Sequence, residues 1–229
     1  MTLCIIPARG GSKRIARKNI RPFAGKPMLA HSIETALASG CFDRVLVSTD
    51  DGEIAAAAQA YGADVPFVRP SELADDYATT SDVMRHAVNA LGVADDAPVC
   101  CLYATAPFVR SDDLRRGAAV LRESGADYAV SVTTFAFPIQ RALRCEQGRL
   151  QMFQPENAAV RSQDLTEAWH DAGQFYWGRA AAWRTGKAVF AGEVCAVPVP
   201  RYRVQDIDTE EDWQRAEILW RVLAEWQAA

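Results

Sequence analysis

The chain has 229 residues, 49% of them hydrophobic and 24% charged, with a formal net charge of −4. That length and composition fit one globular domain large enough to bury a full core. The acidic balance argues against a general nucleic-acid or membrane-surface binder, so local basic clusters are to be read as sites.

The apolar run 3–6 reads as a buried strand that stops at Pro7. Behind it come Ala8, Arg9, Gly10, Gly11, Ser12, Lys13, Arg14, Arg17, Lys18 and Asn19. Adjacent glycines allow close backbone approach and positive φ. Backbone N–H groups can then converge on an anion while Arg and Lys supply charge. The stretch reads as a polyphosphate loop, with a solvated basic turn as the plain alternative. It has neither Walker A nor dinucleotide-fingerprint spacing.

Pro27 opens a helix expected to reach Ser39 and stop at Gly40, with Met28, Leu29, Ile33 and Leu37 as its apolar stripe. A second strand, 45–47, ends at Ser48, Thr49, Asp50 and Asp51. An Ala-rich helix over 53–61 and a short third strand over 65–68 follow. A polar loop, 69–76, precedes a helix over 81–91. The run 99–103 reads as a fourth strand, and Ser111 as the N-cap of a helix reaching Ser124 whose first turn carries Asp112 and Asp113. A fifth strand covers 128–132. This alternation implies a doubly wound, Rossmann-like, mainly parallel sheet with ligands beyond the carboxyl ends of its strands.

After Thr133 the alternation breaks. Runs 142–145 and 150–153 around Gln147-Gly148 form a hairpin pattern. Residues 154–171 are polar and aromatic without a period, which inside a compact domain points to a functional segment. The stretch 140–171 therefore reads as a protruding dimerisation arm, with the whole chain one domain and the assembly a homodimer. A strand over 172–177, a helix over 180–183 and a strand over 195–199 return to the sheet. Thr209 with Asp212 forms a capping box for a closing helix to about Trp226.

The six cysteines lack C-x-x-C spacing and read as reduced thiols of a cytoplasmic protein. Pro7 and Arg9 interrupt the N-terminal apolar run, so neither a secretion signal nor a membrane span is expected. Asp206 and Asp208 flank Ile207 in an extended stretch, which puts both carboxylates on one side. They suit Mg²⁺ shared with phosphates, or else serve as helix caps, with Asp208 and Glu211 as a second box; the residues alone favour neither. Arg69 could pair with Asp75 or Asp76. Asn19 can donate and accept as cytosine requires, or act as a turn residue. A guanidinium, amides and hydroxyls among aromatics in 161–177 suit a sugar acid. Phe175 and Trp177 read as core, and His31 and His86 as structural.

The run 6–13 followed by Arg17, Lys18, Asn19 and Ile20 resembles the signature of CMP-sugar-acid synthetases, which include the sialic acid cytidylyltransferases. The resemblance spans nearly the whole chain. It is strongest, through 103–108, 137–141 and 170–177, to the branch that activates pseudaminic acid. It implies a nucleotidyltransferase that joins CMP from CTP to a nine-carbon 2-keto sugar acid, a nonulosonic acid, with Mg²⁺ as cofactor. Ala8, Arg9, Gly10, Gly11, Ser12, Lys13, Lys18, Asn19 and Arg69 would bind the nucleotide. Asp206 and Asp208 in 205–212 would hold the metal and, with Arg9 and Lys18, act in catalysis. Tyr103, Thr105, Arg161, Gln163, His170, Gln174 and Tyr176 would meet the sugar. Tyr103 and Ala104 stand where sialic acid enzymes tend to carry Gln-Pro, which points away from ordinary sialic acid.

Overall fold

Branched and small apolar residues make β1 (Leu3–Pro7) a strand buried along four of its five positions. The chain, a computed structural model describing residues 1–186 and 188–228, continues through alternating elements. These are α1 (Met28–Ser39), β2 (Arg44–Ser48), α2 (Gly52–Ala60), α3 (Thr80–Ala90), β3 (Pro98–Leu102), α4 (Ser111–Ser124) and β4 (Tyr128–Thr134). An exposed hairpin of β5 (Leu143–Glu146) and β6 (Arg149–Met152) leads to β7 (Trp169–Arg179), α5 (Ala180–Arg184), β8 (Val194–Pro198) and α6 (Glu210–Ala228). The central sheet has six strands in the order β8-β4-β7-β3-β1-β2.

All neighbours in that sheet are parallel except β7, which runs antiparallel between β3 and β4. One face packs Leu29, Ile33, Leu114 and Leu121 onto Cys100, Phe175 and Trp177. The other packs Met84, Val88 and Trp183 onto Leu3, Ile5 and Tyr128. Phe23, Phe108, Ile207 and Trp213 form a third cluster under α6. Helices thus cover both faces of a doubly wound sheet. Each large apolar side chain buried this way contributes roughly 1.5–3 kcal/mol. Gly117 lets α4 lie directly on Trp177, because a Cβ there would overlap the indole.

Several sequence expectations shift. Residues 65–68 form no strand; only Val68 makes a bridge there, to Thr49, with a second isolated bridge from Asp64 to Leu46 just before them. Pro66 has no N–H for a ladder, and Val68 is largely exposed. Arg110, not Ser111, is the N-cap of α4; the Asp113 carboxylate accepts from the Arg110 N–H, while Ser111 donates to the Thr35 carbonyl. Gly10 and Gly11 do not take positive φ; in that loop the left-handed position is Arg17, at φ 54°. Gly10 answers to close approach instead, since a Cβ there would meet the Asp51 carboxylate at 2.6 Å.

The Thr209–Asp212 capping box is present, with Thr209 N–H to Asp212 Oδ2 at 2.9 Å and Asp212 N–H to Thr209 Oγ1 at 3.2 Å. The turn between β5 and β6 has Gln147 at φ 51° and Gly148 at 79°, as a two-residue hairpin requires. Phe175 and Trp177 are core, and His31 is buried with its Nε2 2.9 Å from the Phe23 carbonyl. Phe137, Leu143, Leu150, Phe153 and Trp169 are exposed on and beside the hairpin. Among the described residues, no helix is long and apolar enough to cross a membrane.

Candidate active site

The loop after β1 turns back under the carboxyl edge of the sheet, and the Ala8 N–H donates to the Ser48 carbonyl at 2.9 Å. The Asn19 side chain, almost fully buried, donates from Nδ2 to the Arg9 carbonyl at 2.9 Å and so holds the loop's two ends together. Within that frame the cations fan out over a cavity of about 360 Å³. Arg9, Ser12, Lys18, Asn19, Arg69 and Asp208 all line it. Tyr103 and Thr105, expected on the sugar side, line it too. Of the residues expected to bind the nucleotide, Ala8, Gly10, Gly11 and Lys13 do not line it.

Acidic groups occupy the loop's donors. Arg9 pairs with Asp76 at 2.9 Å and donates to the Asp75 carbonyl; Lys13 also pairs with Asp76. Lys13, then Arg9, hold the Asp76 carboxyl below the usual carboxylate range. The Gly10 N–H donates to Asp50 Oδ1 at 3.1 Å, and Arg17 binds Asp51 and Glu53. The Arg17 bond does most to hold Asp51 below its ordinary value. These carboxylates stand where a polyphosphate's oxygens would satisfy the same donors. The acid pair at 75–76 was visible in the sequence, but its partners are Arg9 and Lys13 rather than Arg69. Arg69 is buried against Ser48, with Nε 3.1 Å from Ser48 Oγ and Nη2 donating to the Ser48 carbonyl. Burial brings its pKa down to about 10, so it stays cationic at neutral pH.

Opposite the loop lie Asp206 and Asp208, with fully buried Ile207 between them; Asp208 lines this cavity and Asp206 the one beside it. Asp208 accepts from Lys18 Nζ at 3.0 Å and Arg14 Nη2 at 2.8 Å. Its carboxylate does not cap α6, where Thr209 and Asp212 already close the first turn. Partial desolvation first, and the Asp208 charge second, push the Asp206 carboxyl above its usual range. Two hard oxygen groups that repel each other beside a phosphate-sized cavity fit a divalent cation that keeps waters and phosphate oxygens as its remaining ligands.

A second cavity of about 480 Å³ adjoins the first and shares Tyr103 as its wall. Asp206, His170, Asp171, Tyr176 and Arg215 line it. The β7 strand places His170, Asp171 and Tyr176, while Arg215 comes from α6 and Asp206 from the stretch ahead of it. Gly173 at φ 62° bends the chain so that its N–H meets Asp171 Oδ1 at 2.8 Å. Tyr176 donates to Asp171 Oδ2 at 2.6 Å. Burial, first of all, raises both the Tyr176 and Tyr103 hydroxyls above the ordinary phenol range, so each stays protonated as a donor. His170 Nδ1 lies 2.8 Å from the Asp171 carbonyl, which can only accept, so Nδ1 is the donor there and Nε2 is left to face a ligand.

Not every expected sugar ligand comes here. Gln174 is buried inside β7, donating from Nε2 to the Arg203 carbonyl at 2.6 Å. Arg161 lies in neither cavity and grips Asp164 at 2.7 and 3.2 Å. Gln163 lines a separate surface groove with Phe135 and Pro138. Asp171 and Arg215 were not singled out from sequence; an Asx turn ahead of a glycine was the available signal for the first.

A doubly wound sheet with a basic loop beyond its first strand and a carboxylate pair facing it defines a nucleotidyltransferase site. The family described as Cytidylyltransferase matches residues 3–185, and the chain belongs to it. The chain is 46% identical over 223 residues to pseudaminic acid cytidylyltransferase of Campylobacter jejuni subsp. jejuni serotype O:2, covering 96% of each. It is 41% identical over 129 residues to CMP-N,N'-diacetyllegionaminic acid synthase of Legionella pneumophila, covering 54% of each. Among solved structures, CMP:2-keto-3-deoxy-manno-octonic acid synthetase complexed with CTP is similar in fold. The TM-score is 0.73 at 18% identity, over 96% of this chain and 99% of that one.

Proposed function

We propose that this cytidylyltransferase transfers CMP from CTP to the anomeric hydroxyl of a nine-carbon 2-keto sugar acid, pseudaminic acid foremost, and releases pyrophosphate. The observation that carries the reading is the junction of two cavities at Tyr103, with Asp208 in the basic one and Asp206 in the hydroxyl-rich one. A nucleotide in the first and a sugar in the second would meet at that carboxylate pair. Likeness to the Campylobacter enzyme extends along 96% of both chains, whereas likeness to the legionaminic acid enzyme extends along about half, which favours pseudaminic acid.

On this reading Arg9, Lys13 and Lys18, with the Ser12 hydroxyl and the backbone at Ala8, Gly10 and Gly11, hold the triphosphate. Arg69 and Asn19 fix the cytidine end, Arg69 as a buried cation and Asn19 by keeping the loop shut at its base. Nucleotidyl transfer is limited by charge and alignment more than by covalent chemistry, so a pre-set array of cations lowers the barrier. Asp206 and Asp208 would hold Mg²⁺, which supplies charge neutralisation at the phosphates and acidifies a bound hydroxyl. Tyr103, Tyr176 and Asp171 orient the sugar, and His170 Nε2 accepts from one of its hydroxyls. Arg161 and Gln163 sit on the 140–171 arm, where they would meet the sugar only in the site of a second subunit. The exposed apolar side chains of that arm support a homodimer.

The test is pyrophosphate release from CTP with Mg²⁺ and a panel of keto-sugar acids. Release confined to the acids, and fastest with pseudaminic acid, supports the reading. Release that is independent of any sugar acid refutes it.

A further inference from the structure

In a 2-keto sugar acid the carboxylate hangs on the same carbon as the anomeric hydroxyl. Whatever cation binds that carboxylate must therefore stand beside the group that receives the hydroxyl. In the proposed arrangement this is the Asp206 side of the second cavity. Arg161 fails this geometric condition within the chain, being clasped by Asp164 outside both cavities. Among the described residues, Arg215 is the only Lys or Arg lining the second cavity, together with Asp206, His170 and Asp171.

Arg215 lies on α6, between Trp213 and Ala216, whose buried side chains fix the helix in place. A guanidinium carried by a packed helix is more precisely set than one carried by a loop. No ion pair engages it among the described residues, although its charge helps to hold Asp212 low behind the Thr209 hydrogen bonds. With Asp206 given to the metal, the Asp171 carboxylate still disfavours a substrate anion in this cavity. A planar fork of donors at the rim reverses that preference.

We infer that Arg215 is the specificity-determining residue that binds the carboxylate of the sugar acid and thereby points its anomeric hydroxyl at Asp206. This rests on the second cavity being the sugar-acid half of the site.

The experiment compares the parent with Arg215→Gln and Arg215→Lys, using pseudaminic acid and its C1 carboxamide as co-substrates. Arg215→Gln should raise KM for the acid by about 10–100-fold, the scale of a charge-assisted hydrogen-bond pair lost. Its CTP affinity should match the parent's, which also reports an intact fold. Arg215→Lys keeps the charge but loses the fork, and should fall between the two. The parent should prefer acid over carboxamide, and Arg215→Gln should lose most of that preference. A variant that keeps the parent's KM and its acid-over-carboxamide preference overturns the assignment of Arg215 alone. A parent that turns over none of the keto-sugar acids overturns the reading of the cavity itself.

Discussion

Replacing Asp206 or Asp208 by Asn separates metal binding from helix capping. Asn keeps the size and most of the capping capacity of Asp but removes the charge a hard cation needs. Capping is already met by Thr209 and Asp212, so neither substitution should unravel α6. Asp208→Asn gives up ion pairs to Arg14 and Lys18, both partly exposed, at a cost of about 1 kcal/mol. For a chain of this size that is a melting point lower by roughly 2–4 °C. Asp206→Asn removes one of two repelling carboxylates, so its melting temperature should equal or exceed the parent's. Turnover should nevertheless fall by roughly 10² or more in both, because charge stabilisation beside the reacting phosphate is lost. The assay is kcat across a Mg²⁺ titration with a melting curve at each point. Near-parent turnover in both variants would end the metal assignment, and a large loss of stability would return the pair to a structural role.

Three further expectations concern other parts of the molecule. Arg9→Ala should weaken CTP binding by about 10–100-fold, whereas Asp76→Asn should tighten it several-fold by freeing Arg9 and Lys13; calorimetric titration with CTP reads both. The buried Asp113–Arg203 pair should be costly to break: Asp113→Ala loses about 3–5 kcal/mol, or roughly 6–20 °C. Burial works against the Asp113 charge, but the bonds from Arg203 outweigh it and leave the folded pKa lowered. A lowered carboxyl stabilises the fold above its unfolded pKa, and that contribution is lost as pH falls through the folded value. The parent's melting temperature should therefore drop on acidification below about pH 4 more steeply than that of Asp113→Ala. Light scattering should show a dimer at micromolar concentration, and replacing the 143–152 hairpin by a short Gly-Ser turn should yield monomer.

The alternation through β4 was legible because each strand is an uninterrupted apolar run and each helix has a capping group or a glycine at its end. Thr209 with Asp212 and Gly40 after α1 are local signals that tertiary packing did not override. Pro66 was the clue that 65–68 could not complete a strand, although its apolar neighbours read as one. The antiparallel course of β7 was not legible, since residues 172–177 carry the same buried pattern in either direction. Direction follows from the intervening arm, which returns the chain at the same end of the sheet where β4 stops, so that Trp169 pairs with Thr134. The basic loop announced its charge but not its partners: Asp50, Asp51 and Asp76 lie 34 to 67 residues along the chain from the groups they bind, and only the fold brings them to it. Arg161 looked apt for a carboxylate by residue type; Arg215, on a helix face that reads as solvated, gave no such signal.

In the proposed reaction the sugar's own anomeric oxygen attacks the α-phosphorus of CTP. Pseudaminic acid labelled with ¹⁸O at the anomeric hydroxyl, incubated with the enzyme, CTP and Mg²⁺, reports this directly through the isotope shift of the product's ³¹P resonance. Attack by the sugar places ¹⁸O in the bridge between the sugar and CMP, with unlabelled pyrophosphate released. Product whose bridging oxygen is unlabelled, or label recovered in pyrophosphate, would contradict it.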